Sequence, residues 1–351
     1  MTEWKSPFNS FNSLKALCWR DRFEQIMNGE IPKPVSITVD ATNICNLRCT
    51  FCHYYEFRKE QQRTVPSEEL LALPDIIKKL GALSVCFAGG GEPLLHPDAG
   101  LFMRKLKDIG INVGIVTNGV FIDKFIDDIL YSCRWVGISV DAATINTYKE
   151  LKGGSQNDFV RVINNIRLIA DRRKDNISPS VGFKFLIHSV NYMEILDAIR
   201  LARSIGADDF HGRPAYHHTI KWDEQMIEHA LEQIKIGQNI FETQKFRVFG
   251  VTHKFDKAFK KKIVDKCEVT PIAGLTFAAD GWAYACCDLR GEEQGRLCRW
   301  NEILDVWGSD KHKELIKKID PKKCPFRCTF NSYQEILDEV FRKDKMSFKF
   351  P

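Results

Sequence analysis

An α/β fold is what this sequence predicts, and three observations carry the prediction. From residue 35 to about 215, apolar runs of strand length alternate with longer helix-like stretches, the pattern of βα units on a parallel sheet. The 351 residues are 44% hydrophobic, enough for a large core. No apolar run approaches the roughly eighteen residues of a membrane span. Six strands are expected, at 35–40, 82–88, 111–117, 135–141, 180–188 and 209–214. Helices are expected over 67–80, 98–109, 121–131, 144–172 with a break at Gly153-Gly154, and 192–204. Ser67 ahead of Glu68 and Glu69, and Asp141 ahead of Thr144, are helix-start signals. Six such units are too few for an eight-fold barrel.

The rest of the chain has a different texture. Residues 1–34 form an N-terminal extension with room for a short helix, and 35–220 hold the βα units. Residues 221–265 contain a helical segment, about 223–244, expected to lead away from them. From 266 to 330, cysteines, glycines and short strands predict a second, smaller α+β domain. Residues 331–351 read as a helix, 332–343, and a basic, aromatic tail.

The N-terminus lacks the charged-then-apolar layout of a signal peptide, so a cytoplasmic location is expected. The net charge of +5 is mild, and the basic runs 254–266 and 311–323 read as solvated helix faces. Neither a membrane nor a nucleic-acid partner is expected from it. Twelve cysteines without an export signal argue for metal ligation rather than disulfides.

Three of those cysteines, Cys45, Cys49 and Cys52, follow the first strand at spacings of three and two residues. They are one ligand short of the four thiolates that usually hold a cubane iron–sulfur cluster. A cluster with one bare iron can bind a ligand and do chemistry. A zinc knuckle would want a fourth Cys or His at finger-like spacing, and His53 is too close to serve well.

The C-x3-C-x2-C loop, with Phe51 before its last cysteine and directly after a first strand, resembles the radical S-adenosylmethionine (SAM) enzymes. The resemblance implies a partial, open (β/α)6 barrel with its site at the strands' C-terminal face. It also implies a [4Fe–4S] cluster on Cys45, Cys49 and Cys52 that chelates SAM. The segment Gly89-Gly90-Gly91-Glu92-Pro93 after the second strand resembles the family's Gly-Gly-Glu segment, which bonds the SAM amino group. Glycines there also let backbone groups approach a ligand. A plain helix N-terminal acid is the other reading of Glu92.

Strand parity supplies further candidates, because residues two apart share a face. Val136, Ile138 and Val140 should face the helices, leaving Gly137, Ser139 and Asp141 inside. Ser139 and Asp141 resemble the family segment near the SAM ribose and methionine. Lys184 and His188 share the inner face of the next strand. A buried lysine needs an anion, which is either a SAM carboxylate or a protein acid such as Asp141. Asn118, in an Asn-Gly turn, matches a common family turn. No adenine contact is recognisable.

Cys267, thirteen residues, Gly281, four residues and Cys286 resemble the SPASM and twitch auxiliary-cluster domains, with Asp280-Gly281 as a hairpin turn. The resemblance implies a second [4Fe–4S] cluster on Cys267, Cys286, Cys324 and Cys328. Cys287 is a substitute for Cys286, and a zinc ribbon is the plainer alternative. Cys86 and Cys133 read as small core residues.

What the resemblance implies about activity is SAM cleavage, hydrogen abstraction and oxidation of an alcohol carbon, the second cluster taking the electron. Lys184, Arg213 and His217 are candidate bases by position. An alternative is epimerisation, with Cys298 or Cys287 returning hydrogen. Peptide- and RNA-modifying activities are further alternatives, although the short N-terminus leaves no room for a leader-peptide domain. A small sugar or aminocyclitol is therefore the expected substrate, and flavodoxin or ferredoxin the expected reductant. Arg213 suits an anionic substrate unless Asp208 or Asp209 pairs with it.

Overall fold

The computed structural model describes residues 13–173, 178–215, 222–251, 255, 264–324 and 328–342. Helix α1 (Arg20–Met27) precedes β1 (Ser36–Asp40), and α2 (Tyr55–Glu60) and α3 (Ser67–Leu80) follow. Next come β2 (Ser84–Ala88), α4 (Ala99–Asp108), β3 (Asn112–Thr117), α5 (Ile126–Ser132) and β4 (Cys133–Ser139). Helices α6 (Ile145–Lys152) and α7 (Gln156–Arg172) lead to β5 (Ser180–Ile187), α8 (Ile195–Ser204) and β6 (Asp209–Pro214). These six strands are parallel and paired in sequence order, the open partial barrel that was expected.

The expected break in the long helix falls where Gly153 takes a left-handed φ of 61° and ends α6. Ser155 then opens α7 with a capping box closed by Asp158. The strand faces also agree with parity. Val136, Ile138, Val140, Phe183, Phe185 and Ile187 are fully buried under the helices, while Ser139, Lys184 and His188 are half-buried on the inner face. Phe183 and Phe185 meet Phe210 at ring-centre distances of 6.0 and 5.5 Å, and Phe87 meets Phe102 at 5.1 Å. Each such ring contributes about 2–3 kcal/mol by leaving water.

Two features differ from the expectation. Helix α9 (Glu224–Phe241) does not lead away: it packs on α8 and delivers β7 (Arg247–Gly250), a seventh parallel strand beside β6. Beyond residue 266 the chain also returns to the same sheet. Strand β8 (Thr276–Phe277) pairs in parallel with β1, and β9 (Trp282–Tyr284) and β10 (Arg296–Arg299) extend the edge antiparallel. The order β10-β9-β8-β1-β2-β3-β4-β5-β6-β7 therefore joins the cysteine-rich segment to the barrel through β1. The predicted Asp280-Gly281 turn joins β8 to β9, with Gly281 at φ 83°. No helix among the described residues is long and apolar enough to cross a membrane.

Candidate functional site: a cysteine-lined mouth at the strand ends

Strand β1 ends at Asp40, and the chain turns at once into the loop carrying Cys45, Cys49 and Cys52. All three thiols are free and half-buried. Backbone bonds from three sides hold this loop. Arg48 and Thr50 donate their N–H groups to the carbonyls of Lys152 and Leu151 at 3.0 and 2.9 Å, so the loop caps the C-terminal end of α6. Asn43 N–H donates to the Arg63 carbonyl at 2.8 Å. Gly91 and Glu92 donate to the carbonyls of Thr42 and Ile44 at 3.0 and 2.8 Å.

That last contact explains the glycines. A Cβ on Gly91 would lie 2.1 Å from the Ile44 carbonyl oxygen and 2.7 Å from that of Thr42. Gly91→Ala must therefore push the glycine segment off the cysteine loop. The expected cost is about 1–3 kcal/mol, read as a lower Tm together with reduced iron uptake. Gly89→Ala, whose added carbon meets its nearest neighbour at 3.3 Å, should cost less.

Glu92 is buried and inward. One carboxylate oxygen accepts from Thr117 Oγ1 at 2.6 Å and Leu94 N–H at 3.1 Å, and the other accepts from Asn118 N–H at 2.8 Å. Burial raises its pKa, against these donors. Its carboxylate thus ties the end of β2 to the end of β3. Asn118 is held in turn: its Nδ2 donates to Asn46 Oδ1 at 2.7 Å and reaches Cys45 Sγ at 4.0 Å.

Asp141 sits at φ 61°, a left-handed conformation that Asp tolerates better than most residues. Its Oδ1 accepts Leu186 N–H at 2.7 Å, and its Oδ2 accepts from Lys152 Nζ at 2.6 Å. Lys152 also donates to the Ser139 carbonyl at 2.9 Å and lies 5.7 Å over the Phe51 ring. This buried lysine was not singled out from the sequence. Its charge acts on Cys49, whose thiol burial pushes up to about 11.

Lys184 pairs with neither Asp141 nor a group at the mouth. Its Nζ lies 3.1 Å from Asp209 Oδ1, and Asp209 is the first residue of β6, at the opposite end from the mouth. The anion a buried lysine requires is supplied by the protein. Asp208 pairs with Arg173. Among the described residues, no ion pair joins either aspartate to Arg213, whose side chain is exposed. Crowding by protein lowers its pKa, and the charges of Asp141 and Asp288 oppose that. His211, two residues earlier on the same face, is half-buried. His217 lies outside the described residues.

The second group of cysteines stands beside the first. Cys267 feels the charges of Cys328, Cys324 and Asp288, and Cys328 those of Asp288, Cys324 and Cys287. The ligand atoms of Cys286, Cys287 and Asp288 lie within 4.8 Å of one another. Cys286 is the more buried, and its sulfur accepts Asp288 N–H at 3.4 Å. Cys298 is elsewhere: it is buried in the apolar core on β10, and the charges acting on it are Glu302 and Lys311. That placement removes it as a hydrogen donor at the mouth. Cys133 is a core residue against Met103, as expected. Cys86 is only half-buried and senses Arg290, Asp40 and Cys287, so it belongs to the inner face.

Arg290 connects the two groups. Its guanidinium pairs with Asp40 at 2.5 Å and donates to Tyr54 Oη at 2.8 Å and to the Cys287 carbonyl at 3.0 Å. Tyr54 Oη donates to that same carbonyl at 3.0 Å. Asp40 immediately precedes the first cysteine loop, Tyr54 immediately follows it, and Cys287 belongs to the second group.

The donor sets fit the cofactors that the sequence resemblance implied. Three thiols on one loop, with Cys45 and Cys52 both acting on Cys49, suit a cluster with one open iron, and the glycine segment leaves backbone groups beside it. Residues 39–202 match the model of the Radical SAM superfamily. The chain is 29% identical over 175 residues to a Methanocaldococcus jannaschii protein named Probable GTP 3',8-cyclase, covering 49% of this chain and 56% of that one. It is 28% identical over 204 residues to the Bacillus subtilis antilisterial bacteriocin subtilosin biosynthesis protein AlbA, covering 55% and 44%. The matched stretch spans about half the length of these relatives. In fold, the chain resembles Streptococcus suis SuiB, solved with precursor peptide SuiA, at a TM-score of 0.65 and 16% identity, covering 91% of this chain and 75% of that one. Residues 39–202 of this chain are accordingly a radical SAM domain.

Proposed function

We propose that this enzyme oxidises a small, polar, anionic substrate by hydrogen abstraction followed by electron transfer to a second iron–sulfur cluster. The observation that supports this reading is the second cysteine group, Cys267, Cys324 and Cys328 with Cys286 or Cys287, beside the first and joined to it by Arg290. When bound, SAM and the clusters supply a 5′-deoxyadenosyl radical that removes a substrate hydrogen atom and an acceptor for the electron left behind. Cys45, Cys49 and Cys52 would hold the SAM-binding cluster. The carbonyls of Gly89 to Gly91 and the Ser139 side chain would line the SAM pocket. Glu92, Asn118 and Asp141 act one step back, fixing the strand ends that carry them.

The chain's own residues assign the remaining tasks. Arg213 would hold an anionic group of the substrate between Asp141 and Asp288. It stays protonated and so is a poor base. Lys184, committed to Asp209, is also poorly placed to take the proton released on oxidation. His211 is the better candidate by position, half-buried two residues before Arg213 on the same face of β6. The relatives named above are a cyclase and a bacteriocin-biosynthesis protein, so the oxidation reading rests on the site.

Anaerobic reconstitution should load about eight irons per chain and give 5′-deoxyadenosine with dithionite. A panel of hydroxylated carboxylates and phosphates would then be screened by mass spectrometry. The expected product is lighter than its substrate by two hydrogen atoms. About four irons would overturn the second cluster. Unchanged mass with one solvent deuterium would instead indicate epimerisation, for which Cys287 and Cys86, which sense each other, are the candidate thiols.

A further inference from the structure

A second concentration of chemistry lies outside the mouth, at the seam between α3 and the β8–β9–β10 hairpins. A cleft of about 510 Å³ there is lined by Arg63, Arg299, Gly281 and Trp300, with Leu73 and Ile76 of α3 as an apolar wall. It adjoins a second of about 370 Å³, to which Arg296 and Trp282 contribute and which shares Arg63 and Arg299. None of these residues holds a candidate cluster or faces the inner surface of the barrel.

Three guanidinium groups converge here. Arg63 and Arg299 both donate to the Asp280 carbonyl, at 2.9 and 3.3 Å. A point one carbon above Gly281 lies 3.4 Å from Arg63 Nη2 and 3.5 Å from Arg299 Nη1. The Arg299 and Arg296 guanidiniums stand 4.2 and 4.7 Å from the centre of the Trp282 ring. The Arg296 Nε is buried without a hydrogen-bond partner, while the rest of its guanidinium also meets the Tyr284 hydroxyl.

The natural counter-ion is turned away. Asp280 spends one carboxylate oxygen on Trp282 N–H at 3.0 Å and the other on the Tyr284 hydroxyl at 2.6 Å. It therefore offers the arginines only its carbonyl. Glu60 and Glu69 also line the clefts, but no carboxylate among the described residues forms an ion pair with any of the three arginines. Like charges gathered in this way repel unless an anion joins them. Forked donors set at fixed angles match phosphate oxygens two at a time. Trp300, Leu73 and Ile76 beside them would cover an apolar or aromatic body.

The structure assigns to this seam a binding site for a phosphorylated small molecule. Its phosphate oxygens lie on Arg63, Arg299 and Arg296 over Gly281, and its organic part lies against Trp300 and α3. The class is a di- or triphosphate with a planar or apolar group. The site is independent of the oxidation proposed above, because it shares no residue with the mouth.

Calorimetric titration of the full chain, saturated with SAM so that the mouth is filled, tests this with three probes: ADP, inorganic pyrophosphate and citrate. ADP and pyrophosphate are expected to bind one per chain, with ADP tighter and citrate weakest. Arg299→Gln and Arg63→Gln, both altering exposed side chains, should each weaken ADP by about tenfold or more while circular dichroism and iron content stay unchanged. Trp300→Ala should weaken ADP more than pyrophosphate. The assignment is overturned if neither phosphate probe saturates, if the arginine variants bind as the parent does, or if citrate binds as tightly as pyrophosphate.

Discussion

Arg290→Leu is expected to destabilise the protein by about 3–5 kcal/mol, seen as a drop of several degrees in Tm. The side chains of Asp40 and Arg290 are 1% and 7% exposed, so the substitution strands a carboxylate where water cannot reach it. Burial already raises the Asp40 pKa, and Arg290 is the main group opposing that rise. Removing one partner of a buried pair costs far more than the pair contributes net. Arg290→Leu combined with Asp40→Asn should therefore recover much of the loss. A structural role ends there, but the position of Arg290 implies more. It holds Tyr54 and the Cys287 carbonyl, one on each side of the gap between the two cysteine groups. In the double variant, whose stability is largely restored, the electron paramagnetic resonance signal of the reduced clusters should still differ from the parent. Identical spectra would confine Arg290 to stability.

How far the sequence foretells this protein depends on whether a signal is local. The triplet Cys45, Cys49 and Cys52, the glycine run at 89–91 and the Gly153 break are local, and each is found where its spacing placed it. The inner faces of β4 and β5 follow from alternation alone. Strand β7 has its own local signal, Phe246 and Val248 alternating with Arg247, but its short span after a long helix hid it. Sheet continuity through β8 has no such signal. Two residues of β8 pair with β1 more than two hundred positions earlier, and no periodicity encodes that.

Charged residues divide in the same way. Asp280-Gly281 reads as a turn because the dipeptide itself makes one. Arg290 reads as an ordinary loop charge, because its partner Asp40 is 250 residues away. Lys184 was rightly placed on the inner face, yet parity says nothing about direction along the strand axis. The ammonium points toward the start of β6 and finds Asp209 there. For Arg213, by contrast, the two aspartates that might have neutralised it are both occupied, by Arg173 and Lys184. The proposal that Arg213 anchors the substrate therefore gains support from pairings made elsewhere.

Lys152→Met should have an effect of the same size, with a different signature. The Lys152 and Asp141 side chains are 3% and 1% exposed, so the variant leaves Asp141 Oδ2 charged, buried and without its cation. A loss of about 3–5 kcal/mol follows. Asp141→Asn alone should also destabilise, because it strands the Lys152 ammonium, although Asn tolerates the left-handed φ and keeps an oxygen for the Leu186 N–H. Lys152→Met with Asp141→Asn should approach the parent in Tm. The cysteine loop is expected to report separately. Lys152 lies over Phe51, and its carbonyl receives the Arg48 N–H, so the backbone bond survives substitution while the nearby positive charge does not. That charge favours the Cys49 thiolate against the burial that opposes it. The neutral double variant should therefore load iron at the first cysteine group more slowly at pH 7 than the parent, and the deficit should shrink as pH rises and the thiol ionises without help. Iron uptake indistinguishable from the parent at both pH values would show that Lys152 acts only through Asp141.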